Sequence, residues 1–268
     1  MKSRAVSIGE IASVAKALGA LADRVVFIGG AVAPLLHTER VLPHARATRD
    51  VDGVVASVTY GDYDKFGRAM RKRMFTRTTD MAGHAHRWRS PDGILFDLVP
   101  AGDHMGGSGS ALDALALQAP VVVTIDGVTV RHVSAALFIA MKLQAYKDRG
   151  EGDLQASHDI EDVIALIASR PSIGDDVKGA PDTVRTKIAE FAAALATSDV
   201  AEDILTGHLN NADNVSYAVR VTRERLGALA GSPRTALTGH IEAILKTRPL
   251  DLPVSISDAL DDERGDRV

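Results

Sequence analysis

Two aspartates, Asp50 and Asp52, stand two residues apart at the start of an apolar segment. In an extended strand, residues i and i+2 project from the same face, so these carboxylates lie side by side. Carboxylate oxygens are ligands that Mg²⁺ prefers. About twenty residues upstream, Gly29 and Gly30 follow another apolar segment, where glycines let a phosphate approach the backbone at a helix start. The spacing therefore predicts a site for a nucleoside triphosphate (NTP) with Mg²⁺ or Mn²⁺.

A third carboxylate, Asp97, lies inside the apolar segment 93–99. A carboxylate in such surroundings is unfavourable unless it is paired or liganded. We therefore predict that Asp97 joins Asp50 and Asp52, either as a metal ligand or as the group that orients or deprotonates an attacking hydroxyl. The alternative is that Asp50 ends a turn and the other two are solvated strand residues.

Arg46 and Thr48 directly precede the carboxylate pair. An arginine offers a planar fork of N–H donors to phosphate oxygens. A threonine hydroxyl at this position could lie near the metal-bound phosphate. We predict that both side chains bind the nucleotide, and the alternative is that they belong to an exposed loop.

The segment 68–89 concentrates positive charge, with seven basic residues and one acidic residue in a chain of net charge −4. Arg71, Lys72 and Arg73 could follow the phosphates of RNA, and Trp88 could stack on a base. Alternatively, the basic residues bind the triphosphate or form a solvated helix face. We predict the RNA-binding role.

These residues resemble the nucleotidyltransferase superfamily of DNA polymerase beta, with its Gly-Gly or Gly-Ser turn, its Asp-x-Asp and its third carboxylate. More narrowly, Arg-Ala-Thr-Arg-Asp-Val-Asp at 46–52 is similar to the Arg-x-Thr-x-Asp-x-Asp of AbiEii/MenT-like toxins. The resemblance implies Mg²⁺-dependent transfer of a nucleoside monophosphate (NMP) from an NTP to RNA, foremost to the 3′ end of tRNA. It also implies the toxin of a type IV toxin–antitoxin system, neutralised by a cognate antitoxin protein.

The same resemblance implies a helix with a catalytic, nucleotide-binding lysine, here Lys142, followed by an aspartate in a segment like Lys-Asp-x-x-Asp-Leu. This chain has His158-Asp159-Ile-Glu-Asp162-Val there, so histidine replaces lysine and valine replaces leucine. Either Asp159 or Asp162 could be the functional aspartate, and we favour Asp159 as a catalytic residue. The alternative for Lys142 is an ammonium that extends from an apolar helix into solvent.

The apolar patterns predict the elements that position these residues. Strands are expected at 25–28, 51–58 and 93–99, a hairpin at 121–130 that turns at Asp126-Gly127, and helices at 8–22, from about 31 and at 63–73. From 134 onward the periodicity is helical, at 134–149, 157–169, 182–197, 200–211, 214–230 and 235–247. We predict an α/β (α+β) nucleotidyltransferase core with a mixed sheet at 1–133. An all-helical domain is expected at 134–268, with a frayed acidic tail.

Composition narrows the function classes. The 268 residues are 46% hydrophobic, contain no apolar run long enough to span a membrane, and include no cysteine. Disulfides and thiolate zinc sites are thereby excluded, and we expect a cytoplasmic protein without a membrane partner. Two other functions stay open: an aminoglycoside-type nucleotidyltransferase, whose cationic substrate a net acidic protein would attract, and a non-catalytic nucleotide-binding module.

Overall fold

The computed structural model describes residues 7–39, 48–56, 59–78, 86–101, 111–149 and 153–231. Arg46, the predicted helix at 235–247 and the acidic tail lie outside these ranges. No helix in the described part of the chain is long and apolar enough to cross a membrane.

The sheet has seven strands in the order β3-β4-β5-β2-β1-β7-β6. It is mixed, because β2 runs parallel to β5 and β1 parallel to β7, while the other neighbours are antiparallel. The strands are β1 (Val25–Ile28), β2 (Val51–Ala56), β3 (Thr76–Arg77), β4 (Arg87–Arg89), β5 (Leu95–Ala101), β6 (Val121–Ile125) and β7 (Val128–His132).

Four helices alternate with the strands, and the elements that follow β7 in the described residues are all helices. The helices are α1 (Ile8–Leu18), α2 (Ala33–Leu36), α3 (Tyr60–Lys72), α4 (Ala111–Gln118), α5 (Ala135–Asp148), α6 (His158–Ser169), α7 (Ile173–Lys178), α8 (Asp182–Ala196), α9 (Ala201–His208) and α10 (Val215–Ala230). The predicted fold class, a mixed-sheet α/β part followed by a helical part, is confirmed for the described residues. The division into domains at residue 133 stays a prediction.

The elements of the structure differ from the predicted ones at several places. Helix α3 begins at Tyr60 instead of Tyr63, because the Thr59 hydroxyl accepts a hydrogen bond from the Asp62 N–H at 3.1 Å and caps the helix. Strands β3 and β4 and helices α4 and α7 were not predicted. Strand β4 has only three residues, too few for a period to show in the sequence.

The register of the central strands places the carboxylates. Asp52 lies opposite Ile28 in the antiparallel β1–β2 pair and beside Asp97 in the parallel β2–β5 pair. Gly29 follows Ile28 directly, so the glycine turn lies at the same end of these central strands as the two strand aspartates. Arg87 of β4 lies opposite Asp97 from the other side.

Hydrogen bonds tie the chain after α2 to the C-terminal end of α6. The backbone N–H groups of Thr38 and Glu39 both donate to the Ser169 carbonyl, at 3.2 and 2.8 Å. The Arg170 guanidinium donates to the Leu36 carbonyl at 2.8 Å. These bonds join the segment that follows the glycine turn to the helical part.

Candidate active site

The glycine turn is shaped around Asp52. Gly29 has a φ of +69°, a conformation that favours glycine, and a Cβ there would lie 2.1 Å from Asp52 Oδ2. Gly30 begins a short 3-10 turn that leads into α2, and a Cβ there would meet the Thr48 side chain at 3.4 Å. The predicted turn therefore lies directly against the predicted carboxylate site.

Gly29→Ala is expected to destabilise the protein by about 2–3 kcal/mol and to weaken metal binding, because the methyl group displaces the Asp52 carboxylate. The matched control is Gly93→Ala, since Gly93 has a φ of +83° and a Cβ added there would meet nothing within 4 Å. Both variants place an alanine at a positive φ, but only Gly29→Ala brings its methyl group against Asp52. Calorimetry measures the Mn²⁺ affinity of the two variants, and thermal melts measure their stability. Equal Mn²⁺ affinity would contradict a contact between residue 29 and Asp52.

Asp50 and Asp97 share one guanidinium. Arg87 binds both oxygens of Asp97, from Nε at 2.7 Å and from Nη2 at 2.6 Å. The same Nη2 donates to Asp50 Oδ2 at 3.0 Å, and the Thr48 hydroxyl donates to Asp50 Oδ1 at 3.1 Å. Asp97 is thus paired, as a carboxylate in an apolar strand requires, and its partner is an arginine that the sequence had indicated only as part of the basic segment.

The surroundings of Asp52 disfavour its charged form. Burial raises the pKa of Asp52 to about 7, and the neighbouring charges of Asp50 and Asp97 act in the same direction. Lys142 and Arg87 act in the opposite direction but do not offset the rise. Burial and two neighbouring carboxylates thus both disfavour the charged form of Asp52.

The three aspartates suit Mg²⁺ by their chemistry, since hard carboxylate oxygens favour it. In the ranges that the structure describes, no three histidine, aspartate or glutamate side chains already surround a common metal position. Arg87 occupies oxygens of Asp50 and Asp97 instead. Binding of a metal by Asp50, Asp52 and Asp97 therefore requires these side chains to rearrange.

Lys142 of α5 is held by two aspartates of α6. Its ammonium lies 3.3 Å from Asp159 Oδ1 and 2.5 Å from Asp162 Oδ2. The Lys142 side chain is only 13% exposed, and those of Asp159 and Asp162 are 7% and 3% exposed. The alternative that this ammonium extends into solvent is therefore wrong. Asp159 is also paired with Arg149, at the end of α5.

One cavity of about 830 Å³ joins these groups. Its walls come from the glycine turn, from β2 and β5, and from α5 and the start of α6. Among the sequence-predicted site residues, the structure brings together Gly29, Gly30, Thr48, Asp50, Asp52, Asp97, Lys142 and Asp159. Asp162 is not among the lining residues and lies behind Lys142, so both aspartates hold the lysine but only Asp159 faces the cavity.

The basic segment is largely separate from this cavity. None of Arg71, Lys72 and Arg73 is among the residues that line it, and Arg87 alone represents the segment there. Trp88 is 1% exposed, and the guanidinium carbons of Arg71 and Arg77 lie 5.8 and 5.7 Å from its ring centroid. The prediction that Trp88 stacks on RNA bases is therefore wrong, because its ring is part of the core.

Sequence reasoning missed several charged residues that line the cavity, among them Arg87 and Asp113. Arg87 was counted as one basic residue among seven, although its alternation with Trp88 and Arg89 indicates a strand with Arg87 and Trp88 on opposite faces. Asp113 is 3% exposed on α4 and also lines the cavity. The sequence 111–118 is short and follows a glycine-rich segment, which made a loop the more natural prediction there.

No family model matches this chain, and no curated protein matches its sequence. Among solved structures, an antigenic nucleotidyltransferase-like protein from Paracoccidioides brasiliensis is similar over 76% of this chain and 92% of its own. The identity is 17% and the TM-score 0.48. JHP933 from Helicobacter pylori is similar over 83% of this chain and 89% of its own, with 11% identity and a TM-score of 0.42. Similarities this distant carry no argument about what this chain does.

Proposed function

We propose that this chain is a nucleotidyltransferase that moves an NMP from an NTP to an acceptor hydroxyl. The observation that carries the proposal is the meeting of three carboxylates, a glycine turn and a partly buried lysine in one cavity. Each of these features alone has a structural explanation. Together they supply the groups that phosphoryl transfer needs, namely an anion cradle, a cation site and a positive side chain.

Asp50, Asp52 and Asp97 would hold Mg²⁺, which supplies charge neutralisation on the transferred phosphate when bound. The backbone at Gly29 and Gly30 would receive the triphosphate, and Thr48 orients Asp50 through its hydroxyl. The acceptor oxygen forms a bond to the α-phosphorus while the bond to the pyrophosphate oxygen breaks. Asp97 orients the acceptor hydroxyl, and the proton leaves to Asp97 or to solvent.

Lys142 would contact a phosphate oxygen of the nucleotide. Its ammonium is kept near the cavity wall by Asp159 and Asp162, and Arg149 pairs with the other oxygen of Asp159. Both aspartates would therefore be positioning residues for the lysine. Asp159, which the sequence analysis favours as catalytic, is the one that also lines the cavity. A fixed ammonium loses little conformational entropy when the triphosphate arrives.

The acceptor decides between two versions of this function. The resemblance at 46–52 supports RNA, with the tRNA 3′ end first, and with it a toxin role in the cytoplasm and a cognate antitoxin. A second candidate, a cationic small-molecule acceptor, is favoured by the cavity itself. Six aspartates line it against three arginine and lysine residues, whereas the basic segment lies elsewhere.

The direct test incubates the purified protein and Mg²⁺ with each labelled NTP, offering total RNA in one arm and a panel of aminoglycosides in the other. Labelled RNA supports the first version, and a labelled aminoglycoside supports the second. A chelator should abolish either product. Absence of any NMP transfer with all four NTPs in both arms would reject the proposed activity.

Replacing Arg71, Lys72 and Arg73 together by alanine tests the RNA version. If these side chains guide RNA, its binding weakens for all RNA sequences, and the slope of log K against log salt falls by roughly 0.7–0.9 per lost phosphate contact. Nucleotide affinity should stay unchanged, because none of the three lines the cavity. Titrations of RNA and of NTP at several salt concentrations measure both. Unchanged RNA binding would make these three side chains part of a solvated helix surface.

A further inference from the structure

Arg87 is the one cation that touches two of the three aspartates at the proposed metal site, among the described residues. Its three contacts with them, from 2.6 to 3.0 Å, take up both Asp97 oxygens and one oxygen of Asp50. The Arg87 side chain is 15% exposed, so these bonds form in a sheltered part of the cavity. Sheltered bidentate pairs between arginine and carboxylate are stronger than exposed ones.

The strand pairing explains why this guanidinium lies there. Arg87 of β4 is the direct cross-strand partner of Asp97 in β5, and Asp97 is in turn the partner of Asp52 in β2. The three side chains therefore stand in one row across neighbouring strands. The strand pairing fixes the backbone of Arg87 at the site, while its long side chain can still adopt other rotamers.

A divalent cation held by the three aspartates would need oxygens that Arg87 now engages. It would also lie close to a guanidinium of the same sign of charge. The guanidinium would regain partners if it turned to the triphosphate, since its planar fork suits phosphate oxygens as well as carboxylates. The same side chain can therefore hold the carboxylates together in the free protein and bind the substrate in the loaded one.

We propose that Arg87 is an internal competitor for the metal: it neutralises Asp50 and Asp97 in the free protein and passes to a phosphate oxygen when metal and nucleotide bind. This inference rests on the metal site of the proposed function. It assigns Arg87 two effects of opposite direction. Arg87 lowers the affinity of the free protein for a divalent cation, and it raises the affinity of the metal-loaded protein for the NTP.

The test measures Mn²⁺ binding to the full chain by calorimetry without nucleotide. Arg87→Gln removes a charge of the same sign as the metal ion and frees oxygens of Asp50 and Asp97. It should therefore bind Mn²⁺ about tenfold more tightly than the unmodified protein, a difference of about 1.4 kcal/mol. In transfer assays the same variant should show a KM for NTP about tenfold higher, because a charged hydrogen bond to a phosphate oxygen is lost. Arg185→Gln is the matched control, because Arg185 forms a half-sheltered pair with Asp182 on α8, outside the cavity lining. It should change neither value.

Arg87→Lys provides a second variant in case the glutamine form does not fold. A lysine keeps the charge but cannot bind both Asp97 oxygens as a planar fork. The Mn²⁺ affinity of Arg87→Lys should therefore lie between that of the unmodified protein and that of Arg87→Gln. Equal or weaker Mn²⁺ binding in the folded variants would overturn the inference and leave the transferase proposal intact. Mn²⁺ binding to none of the proteins would overturn both. If the Arg87 variants show the expected gain in Mn²⁺ affinity but no protein transfers NMP, the transferase proposal alone would be overturned.

Discussion

Replacing Asp52 by asparagine is expected to abolish nucleotidyl transfer and to stabilise the metal-free protein at pH 8. Loss of a group that only supports a metal ligand lowers activity by about 10–100-fold, so loss of a ligand itself should exceed that range. The gain in stability has a separate cause. Asparagine has the shape of aspartate without its charge, and the charge is what the surroundings of Asp52 disfavour.

The pH dependence of this gain follows from the raised pKa. Asp52 ionises near pH 4 in the unfolded chain and at about pH 7 in the folded one, so between these values the folded state binds more protons. The stability of the unmodified protein should therefore fall as pH rises from about 4 to 7, and Asp52→Asn should lack this component. Three pH units correspond to about 4 kcal/mol as an upper limit. Thermal melts with a chelator at pH 5 and pH 8 measure it.

The control for both readouts is Asp175→Asn, since Asp175 is largely exposed on α7, where it pairs with the equally exposed Lys178. That variant should keep its activity and show no comparable change between pH 5 and pH 8. A folded Asp52→Asn protein with near-normal transfer would remove the metal site from the proposal. A smaller stability advantage at pH 8 than at pH 5 would contradict the raised pKa.

Lys142→Ala should lose both activity and stability. Removal of the ammonium leaves Asp162 without that ion pair and Asp159 with Arg149 alone, in positions that are 3% and 7% exposed. Breaking a buried pair on one side lowers the free energy of unfolding by about 3–5 kcal/mol. Partial exposure of Lys142 places the expected value at the lower end. Urea unfolding and NMP transfer at saturating nucleotide measure the two losses.

A second variant separates the chemical loss from the structural one. Lys142→Met combined with Asp162→Asn removes the ammonium together with its most buried carboxylate partner, so part of the stability should return. Activity should not return, because no positive side chain remains at this place on α5. Lys178→Ala, at an exposed ion pair, is the control for general loss of a lysine. Transfer within about twofold of normal in either folded Lys142 variant would detach α5 from the chemistry.

Part of the site was predictable, because the spacing of residues along a strand determines the face from which their side chains project. Asp50 and Asp52 do line one cavity, but Asp50 precedes β2, which begins at Val51, so strand alternation alone does not place it there. An aspartate within an apolar strand had to have a partner, as Asp97 has. The sequence could not identify that partner as Arg87. Strand β4 is three residues long, and its pairing with β5 depends on contacts far apart in the chain. Lys142 was found by resemblance, and its two aspartate partners required the packing of α5 on α6.

The error at Trp88 shows that the sequence neighbours of a residue do not determine its solvent exposure. A tryptophan between two arginines is typical of a nucleic-acid surface, but whether the ring is exposed depends on what packs over it. Here α3 passes over the ring, and a Cβ at Gly67 would lie 3.2 Å from it. The flanking arginines point away while the ring enters the core, as alternation along a strand requires.

The hydrogen bonds from Thr38 and Glu39 to Ser169 hold helix α6 at its C-terminal end. Asp159 lies near the other end of this helix, about 15 Å away at 1.5 Å per residue. A rotation of α6 by about 5° about its C-terminal end would therefore move Asp159, and the ammonium with which it pairs, by roughly 1.3 Å. Misplacement of a reacting group by 1 Å can cost about 10²-fold in rate. Under the proposed function, helix α6 would act as a lever, through which a contact about 15 Å from Asp159 changes the rate.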